Sequence, residues 1–521
     1  MDAIELSLFV SRIQAICNEM GAVLQYSAFS PNIKDRLDFS CAVFDEDGGL
    51  CAQAAHIPVH LGSMAYAMRD LVGRTDWRAG DMLILNDPFL GGTHLPDVTL
   101  IAPVFAHGEP CGFVANRAHH ADIGAESPGS MPLATRLEDE GLIIPPQKLL
   151  QAHRLRAGAF GALLKKLRNP RQGEADLRAQ ISANQCGANR LTELIQRMGI
   201  SAFRAARAAL NEYAESLALA GLRDLPAGAW EFSDYMEDDG AGQADIPIRA
   251  RVTVHDGRIG VDFTGTGHQV AGNINCPLSV TAAAVYYCCY CLMPPQTPPC
   301  AGSLRPISIT APRGSLVNAM PPAAVAAGNV ETSTRIVDVV LGALAQAAPE
   351  RIPAASQGSM NNIAMGGADW DYYETLGGGM GAGPLGGGLD AVQTHMTNTR
   401  NTPIEVVETQ YPLRITRYEI RDGSGGAGRF PGGDGLIREY EFLAETQVTL
   451  LTERRRHQPW GLQGGNAGQV GCNALNGVSL PAKASLRARR GDRLTIATPG
   501  GGGWGKEQDS GLGTEGLSPE S

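Results

Sequence analysis

The chain has 521 residues, too long for one ordinary domain and enough for two or more hydrophobic cores. Its hydrophobic share of 43% and charged share of 19% are globular values, which exclude a collagenous or disordered chain despite 64 glycines. A net charge of −11 with no long Lys/Arg block speaks against a nucleic-acid or anionic-membrane binder.

The opening "MDAIELSLFVSRIQAICNEM" has Leu6, Phe9, Ile13 and Ile16 on one helical face, so residues 1–30 read as a helix. It lacks a basic leader and a cleavage site, and the expected compartment is the cytoplasm. Residues 33–125 alternate short β-rich runs with Gly, Pro and Asp turns; "FSCAVF", "MLILN", "VTLIAPVF" and "CGFVANRA" are the predicted strands. Residues 126–150 read as loop, punctuated by "SPGSMP" and "LIIPP". Helical spacing covers 172–222, strands return at 228–264, and helices follow at 278–293 and near 332–347. The run "SVTAAAVYYCCYCLM" is too short to span a membrane and reads as a buried helix. From about residue 350 glycine clusters separate short strands, and the polar tail after Gly505 is expected to be disordered.

These elements predict an α+β class: a multi-layer mixed fold with β-hairpins, central helices and a glycine-rich β C-terminal region. The expected division is 1–170 with the hairpins, 171–350 helical and β, 351–505 glycine-rich β, and 506–521 as tail. The 11 cysteines lack zinc-cage spacing and read as free thiols. The basic cluster Arg454–Arg456 reads as a solvated or ion-paired patch. His107, His153, His255 and His457 stand alone and read as surface or core histidines.

The chemistry concentrates in "GGTHLPDVTLIAPVF" and "NRAHHADIG". Opposite residues of an antiparallel hairpin share a constant index sum, so a turn centred near Gly108 sets Asp97 opposite His119. His94 and Asp122 then lie just beyond the same end of the ribbon. Imidazole and carboxylate donors gathered at one rim suit Zn²⁺, Mn²⁺ or Fe²⁺; a hydrogen-bonded polar network is the alternative. The same arithmetic on "DFSCAVFDEDGGLCAQAA" places Asp38 near His56, with His60 slightly beyond. His120 points to the face opposite His119.

The stretches "DRLDFSCAVFDEDGGLCAQAAHIPVHLGSM", "GGTHLPDVTLIAPVF", "NRAHHADIG", "DFTGTGHQVAGNINCPLSV", "AAGNVETSTRIVDVVLGAL" and "TPGGGGWG" resemble the hydantoinase B/oxoprolinase family, over about residues 5–505. The resemblance implies metal ligands at Asp38, His94, Asp97 and His119, with Zn or Mn as the ion. It implies a cyclic amide substrate (hydantoin, 5-oxoproline or lactam) and a hydantoinase A-type partner subunit that binds ATP. Asp122 is either a further ligand or the group that orients a histidine, and proton transfer falls to His60, Asp122 or Glu140. The pattern departs at Gly383, where family members often carry an arginine. A ketone-carboxylase subunit and a non-catalytic structural subunit are the alternatives.

No GxxxxGK[ST] occurs, so nucleotide binding is expected on the partner. The glycine-rich segments read as tight turns lining a cleft.

Overall fold

The computed structural model describes residues 2–54 and 56–507. The expected tail falls almost wholly beyond these residues. Helix α1 (Ala3–Ser27) starts at a capping box: Asp2 accepts from the Glu5 N–H at 2.8 Å, and Glu5 accepts from the Asp2 N–H at 3.1 Å. Its buried face is Phe9, Ile13, Ile16, Met20 and Leu24, at helical spacing.

Seven strands then form one sheet: β1 (Phe39–Phe44), β2 (Leu50–Gln53), β3 (Met82–Leu85), β4 (Asp97–Ala106), β5 (Glu109–His119), β6 (Gln147–Gln151) and β7 (Arg154–Leu155). Their spatial order is β2-β1-β5-β4-β3-β6-β7. The sheet is buried on both faces, and side chains sort by the period of two. Phe39, Cys41, Val43, Val98 and Leu100 join the core of α1 and the long helix α3 (Pro170–Met198). Ala42, Phe44, Ile101, Phe113 and Ala115 face the helix α2 (Pro58–Gly73) instead.

Helix α2 lies inside the stretch expected to hold only strands and turns. Its buried Leu61, Met64, Met68 and Leu71 and its exposed Tyr66, Arg69, Asp70 and Gly73 do alternate at helical spacing, but Pro58, Gly62 and Gly73 read as turn signals. Helix α4 (Ile200–Arg223) follows α3. Strands β8 (Gly228–Asp238), β9 (Ala244–His255), β10 (Arg258–Asp262) and β11 (Ile307–Thr310) make a second sheet. It packs with α5 (Leu278–Tyr290) and α6 (Ser333–Ala347) in the largest core. Helices α2 and α5 approach closely: a Cβ on Gly62 would stand 2.6 Å from Ala283 Cα. Beyond them β12 (Asn362–Gly366) and β13 (Asp371–Glu374) open a four-stranded sheet, and a five-stranded sheet completes the described chain. This is the mixed α+β class the sequence predicts.

Among the described residues only one glycine-rich segment matches the expected tight turn lining a cleft: Gly383 and Gly386 close a turn whose residues line a cavity of about 550 Å³. Residues 378–382, 425–433, 461–468 and 499–505 pack backbone to backbone, the third of them around a turn at Gln463 and Gly464. Gly501 donates to the Gly433 carbonyl and accepts from the Gly426 N–H, at 2.9 and 2.8 Å; Gly503 donates to the Asn466 carbonyl at 2.8 Å. A Cβ on Gly501 would come within 2.1 Å of the Met380 carbonyl oxygen. Of the basic cluster, Arg456 is exposed and pairs with Asp245, but Arg454 is buried and bonds Asp234 and Asp338 at 2.7 and 2.6 Å. Among the described residues no helix is long and apolar enough to cross a membrane.

Candidate metal centre

The β4–β5 hairpin closes through His107 and Gly108, both at positive φ (53° and 83°), which matches the twist of a two-residue hairpin turn. The turn pairs Ala106 with Glu109, a bulge at Cys111 then shifts the register by one residue, and Asp97 stands opposite His119. Both side chains, with Asp38 just before β1, lie on the α2 face of the sheet. His60, in the first turn of α2, meets them there. His94 comes from the loop leading into β4.

Asp97 is fully buried and organises the group. Its Oδ1 lies 3.2 Å from His94 Nε2 and 3.3 Å from His119 Nδ1. Its Oδ2 accepts from Thr93 Oγ1 at 2.6 Å and lies 3.2 Å from His60 Nε2. Burial raises the pKa of the Asp97 carboxyl, but the nearby His94 and His60 outweigh it and hold the group well below the usual carboxylate range. Burial lowers the pKa of His119, which keeps that ring neutral and available as a ligand.

The proton on His94 follows from its partners. Nδ1 faces the Ala326 carbonyl at 3.2 Å, and a carbonyl only accepts, so Nδ1 carries the hydrogen. In the neutral ring Nε2 then presents a lone pair, to which the Asn329 amide donates at 3.1 Å. That lone pair also looks at Asp97 Oδ1, so two acceptors face each other in a buried site. Asp97 Oδ1 and His119 Nε2 are both buried and lack a hydrogen-bond partner among the described residues. A cation between these atoms resolves both features, and a histidine anchored through its other nitrogen to a carbonyl is the usual posture of a ligand. Donor atoms of His94, Asp97 and His119 all fall within 4.8 Å of one another. The residues fit a divalent ion.

Asp38 lines the same small cavity of about 20 Å³, together with His60, His119 and Tyr373. Its carboxylate sits 3.9 Å from both His60 Nε2 and Arg36 Nη2. His56 turns away, accepting the Cys41 N–H on Nδ1 at 3.3 Å; His60 is the histidine that reaches the rim. His120 points to the opposite face and meets Gln180 of α3 at 3.0 Å, as strand alternation requires. Asp122 does not join the group: it accepts from the N–H groups of Gly124 and Asn169 at 3.0 and 2.7 Å. Glu140, in a stretch read as loop, is fully buried. Its Oε1 accepts from the N–H groups of Val325 and Ala326, both at 2.8 Å, and so holds the segment that leads into the Ala326 carbonyl facing His94.

Sequence reasoning missed four contributors. Thr93 stands beside His94 in the quoted motif, and its hydroxyl was the available signal. Asn329 arrives on a short π-helical turn (Gly328–Thr332) ahead of α6; a Cβ on Gly328 would meet the Asn275 carbonyl oxygen at 1.8 Å, so glycine is required there. Tyr373 stacks on His119 with centroids 4.4 Å apart, and Arg36 lies over the Tyr373 ring at 5.1 Å. Neither carries a local sequence signal.

The chain is thus a mixed α+β protein with a two-histidine, one-carboxylate cluster buried at a hairpin rim, a candidate cation site. The model of the family described as Hydantoinase B/oxoprolinase matches residues 2–507, and the chain belongs to that family. It is 40% identical to an uncharacterized protein of Methanocaldococcus jannaschii, over 100% of this chain and 94% of that protein. It is also 40% identical to 5-oxoprolinase 1 of Arabidopsis thaliana over 97% of this chain, but spans only 42% of that longer protein. A Pseudomonas protein that carries the name of a D-/L-hydantoinase subunit is 32% identical, over 97% of this chain and 90% of its own length. The crystal structure of ATP-dependent caprolactamase from Pseudomonas jessenii superposes with a TM-score of 0.91 at 29% identity, covering 97% of this chain and 91% of that one. Nucleotide-free acetone carboxylase, at 18% identity and a TM-score of 0.86, shares the fold over 97% of this chain and 76% of its own.

Proposed function

We propose that this chain is the metal-containing subunit of an ATP-dependent hydrolase of cyclic amides, working with an ATP-binding partner of the hydantoinase A type. The observation that carries the reading is the buried meeting of two acceptors, His94 Nε2 and Asp97 Oδ1, beside the unpartnered His119 Nε2. The names of the hydantoinase, 5-oxoprolinase and caprolactamase relatives support the reaction class.

His94, Asp97 and His119 would hold the ion, with Asp38 as the further ligand and Zn²⁺ or Mn²⁺ as the ion. A bound divalent cation supplies Lewis acidity and makes water a stronger acid. The chain's own groups do the rest. Asn329 and the Ala326 carbonyl fix the plane of the His94 ring. Tyr373 stacks on His119 and is itself held by Arg36, which fixes the ligand ring from its far side. His60 opens on the cavity with Nε2 held between Asp97 and Asp38, which makes it the group placed to move a proton. Glu140 and Asp122 act on the backbone around the site.

The test compares His94→Ala with His107→Ala, which alters the opposite end of the same ribbon. The His94 variant should lose most bound metal and most turnover of the complex reconstituted with its partner; the His107 variant should keep both. Full metal content and full rate in His94→Ala, by mass spectrometry and ring-opening assay, would sink the metal reading. Labelled bicarbonate entering the product would replace hydrolysis with carboxylation.

A further inference from the structure

The two histidines of the cluster come from different elements, His94 from a loop and His119 from the end of β5. The support of both nevertheless traces back to one short turn. The π-helical turn Gly328–Thr332 carries Asn329, whose amide reaches His94 Nε2 at 3.1 Å, and two residues further on it carries Glu331. Residues two apart on a helical turn do not face each other, so the two side chains leave toward different neighbours. Glu331 is fully buried. Its Oε1 accepts from the Met360 N–H at 2.9 Å and from the Asn362 side-chain amide at 2.7 Å.

Asn362, in β12, passes that link on toward His119. Its Nδ2 donates both to Glu331 and to the Leu451 carbonyl, each at 2.7 Å. A carbonyl only accepts, so the amide nitrogen faces Leu451 and the amide oxygen faces the other way. There Oδ1 accepts from the Tyr373 hydroxyl at 2.7 Å, which gives that hydrogen one direction. Tyr373 belongs to β13, the neighbour of β12, and its ring lies on His119 with centroids 4.4 Å apart and planes 15° from parallel. Asn362 and Tyr373 are buried as deeply as Glu331, so bulk water does not compete for these bonds.

The turn itself is tied down. The N–H groups of Ala327 and Gly328 both donate to the Asn273 carbonyl, at 3.0 and 3.1 Å. The Thr332 hydroxyl donates to the Ile274 carbonyl at 2.5 Å, and the Ser333 hydroxyl to the Asn329 carbonyl at 2.6 Å. Val330, between the two arms, lines the small cavity at the cluster together with His119.

Resting on the metal reading above, we infer that Glu331 and Asn362 are positioning residues for His119, acting through Tyr373, and that the π-helical turn couples the two histidines of the cluster. A ligand ring held in one plane keeps its nitrogen aimed at the ion, and groups that set that plane tune affinity without touching the metal.

The experiment uses the full chain loaded with Co²⁺, whose visible absorption reports ligand geometry, with affinity read by competition against a chelator. Tyr373→Phe keeps the stacked ring and deletes only the hydroxyl. It should lose roughly tenfold in Co²⁺ affinity and shift the visible band at saturating metal. Glu331→Ala should do the same. Glu331→Gln should restore both readouts, since it keeps an oxygen for the two donors and Oε2 accepts no hydrogen bond among the described residues. Glu331→Ala combined with Asn329→Ala should lose less affinity than the product of the single losses, because both release the same turn. If Glu331→Ala fails to fold, Tyr373→Phe carries the test. A lowered melting temperature with unaltered affinity and spectrum in Tyr373→Phe makes the chain of bonds merely structural and overturns the inference. Losses that multiply overturn the coupling. An unaltered chain that binds no Co²⁺ defeats the metal reading itself, whereas an unaltered chain that binds it beside variants that match it defeats only the positioning roles.

Discussion

The hairpin rim and the glycine bundle hold the two densest motifs in the chain, and they work in opposite ways. At the rim, function resides in side chains that a short turn has placed with little freedom. In the bundle the important feature is the missing side chain: segments come close enough for main-chain groups to bond directly, and any Cβ would intervene. Histidine and aspartate spacing therefore carries geometric information that can be worked out by index arithmetic. A run such as "TPGGGGWG" announces a close approach without saying what approaches.

The difference predicts where substitution is most damaging. Gly501→Ala puts a methyl group 2.1 Å from the Met380 carbonyl oxygen, with backbone on both sides and nothing flexible to yield. It should cost roughly 4 kcal/mol or more and leave little folded protein, since overlap with main chain has no rotamer escape. Gly477→Ala, at φ +78° in open space, should cost only about 1 kcal/mol from its left-handed backbone. Urea unfolding of the two variants measures the contrast. Similar losses would mean the bundle is held less tightly than its geometry indicates.

A substitution at the rim should do the reverse, sparing the fold and weakening the site. Asn329→Ala removes the amide that reaches both His94 Nε2 and, at 3.4 Å, Asp97 Oδ2. Metal affinity should fall by roughly 10- to 100-fold, the usual effect of losing a group that orients a ligand. A competitive chelator titration reads it. Unchanged affinity would mean that the Ala326 carbonyl alone fixes the His94 ring.

Much of the rim was legible because hairpin pairing is local. The turn length brings Asp97 to within one residue of His119, a bulge at Cys111 supplies the last step, and His120 facing away follows from the strand period. The β1 and β3 runs were equally readable, being apolar segments bounded by turns. Asn329 was not, since it reaches Asp97 from 232 positions along the chain. Tyr373 and Arg36 likewise meet the site through packing between distant sheets, for which one sequence holds no local signal. Helix α2 escaped for a different reason. Its buried Leu61, Met64, Met68 and Leu71 recur at helical spacing, but Pro58, Gly62 and Gly73 punctuate the run as turn residues do, and the period is masked.

The smallest expected effect tests whether an acid in the loop belongs to the rim or to the scaffold. Glu140 is fully buried; desolvation pushes its pKa up to about 8 although two backbone N–H groups pull it down. An acid whose folded pKa lies above its ordinary value of 4.5 binds a proton more readily folded than unfolded. Its contribution to stability is therefore fully present below about pH 4.5 and is lost progressively as pH rises toward 8. Glu140→Gln keeps an oxygen for the Val325 and Ala326 N–H groups but cannot ionise. Its melting temperature should fall less between pH 5 and pH 8 than that of the unaltered chain, and metal content at pH 7 should be nearly the same. Glu140→Ala loses the acceptor itself, leaving two buried N–H groups unbonded at a cost of roughly 1–3 kcal/mol each. It should also loosen the peptide behind His94 and lower metal affinity. If Glu140→Gln abolishes turnover while metal and stability hold, the carboxyl has a role in proton transfer that its backbone partners do not suggest, and scaffold and rim are not separable at this loop.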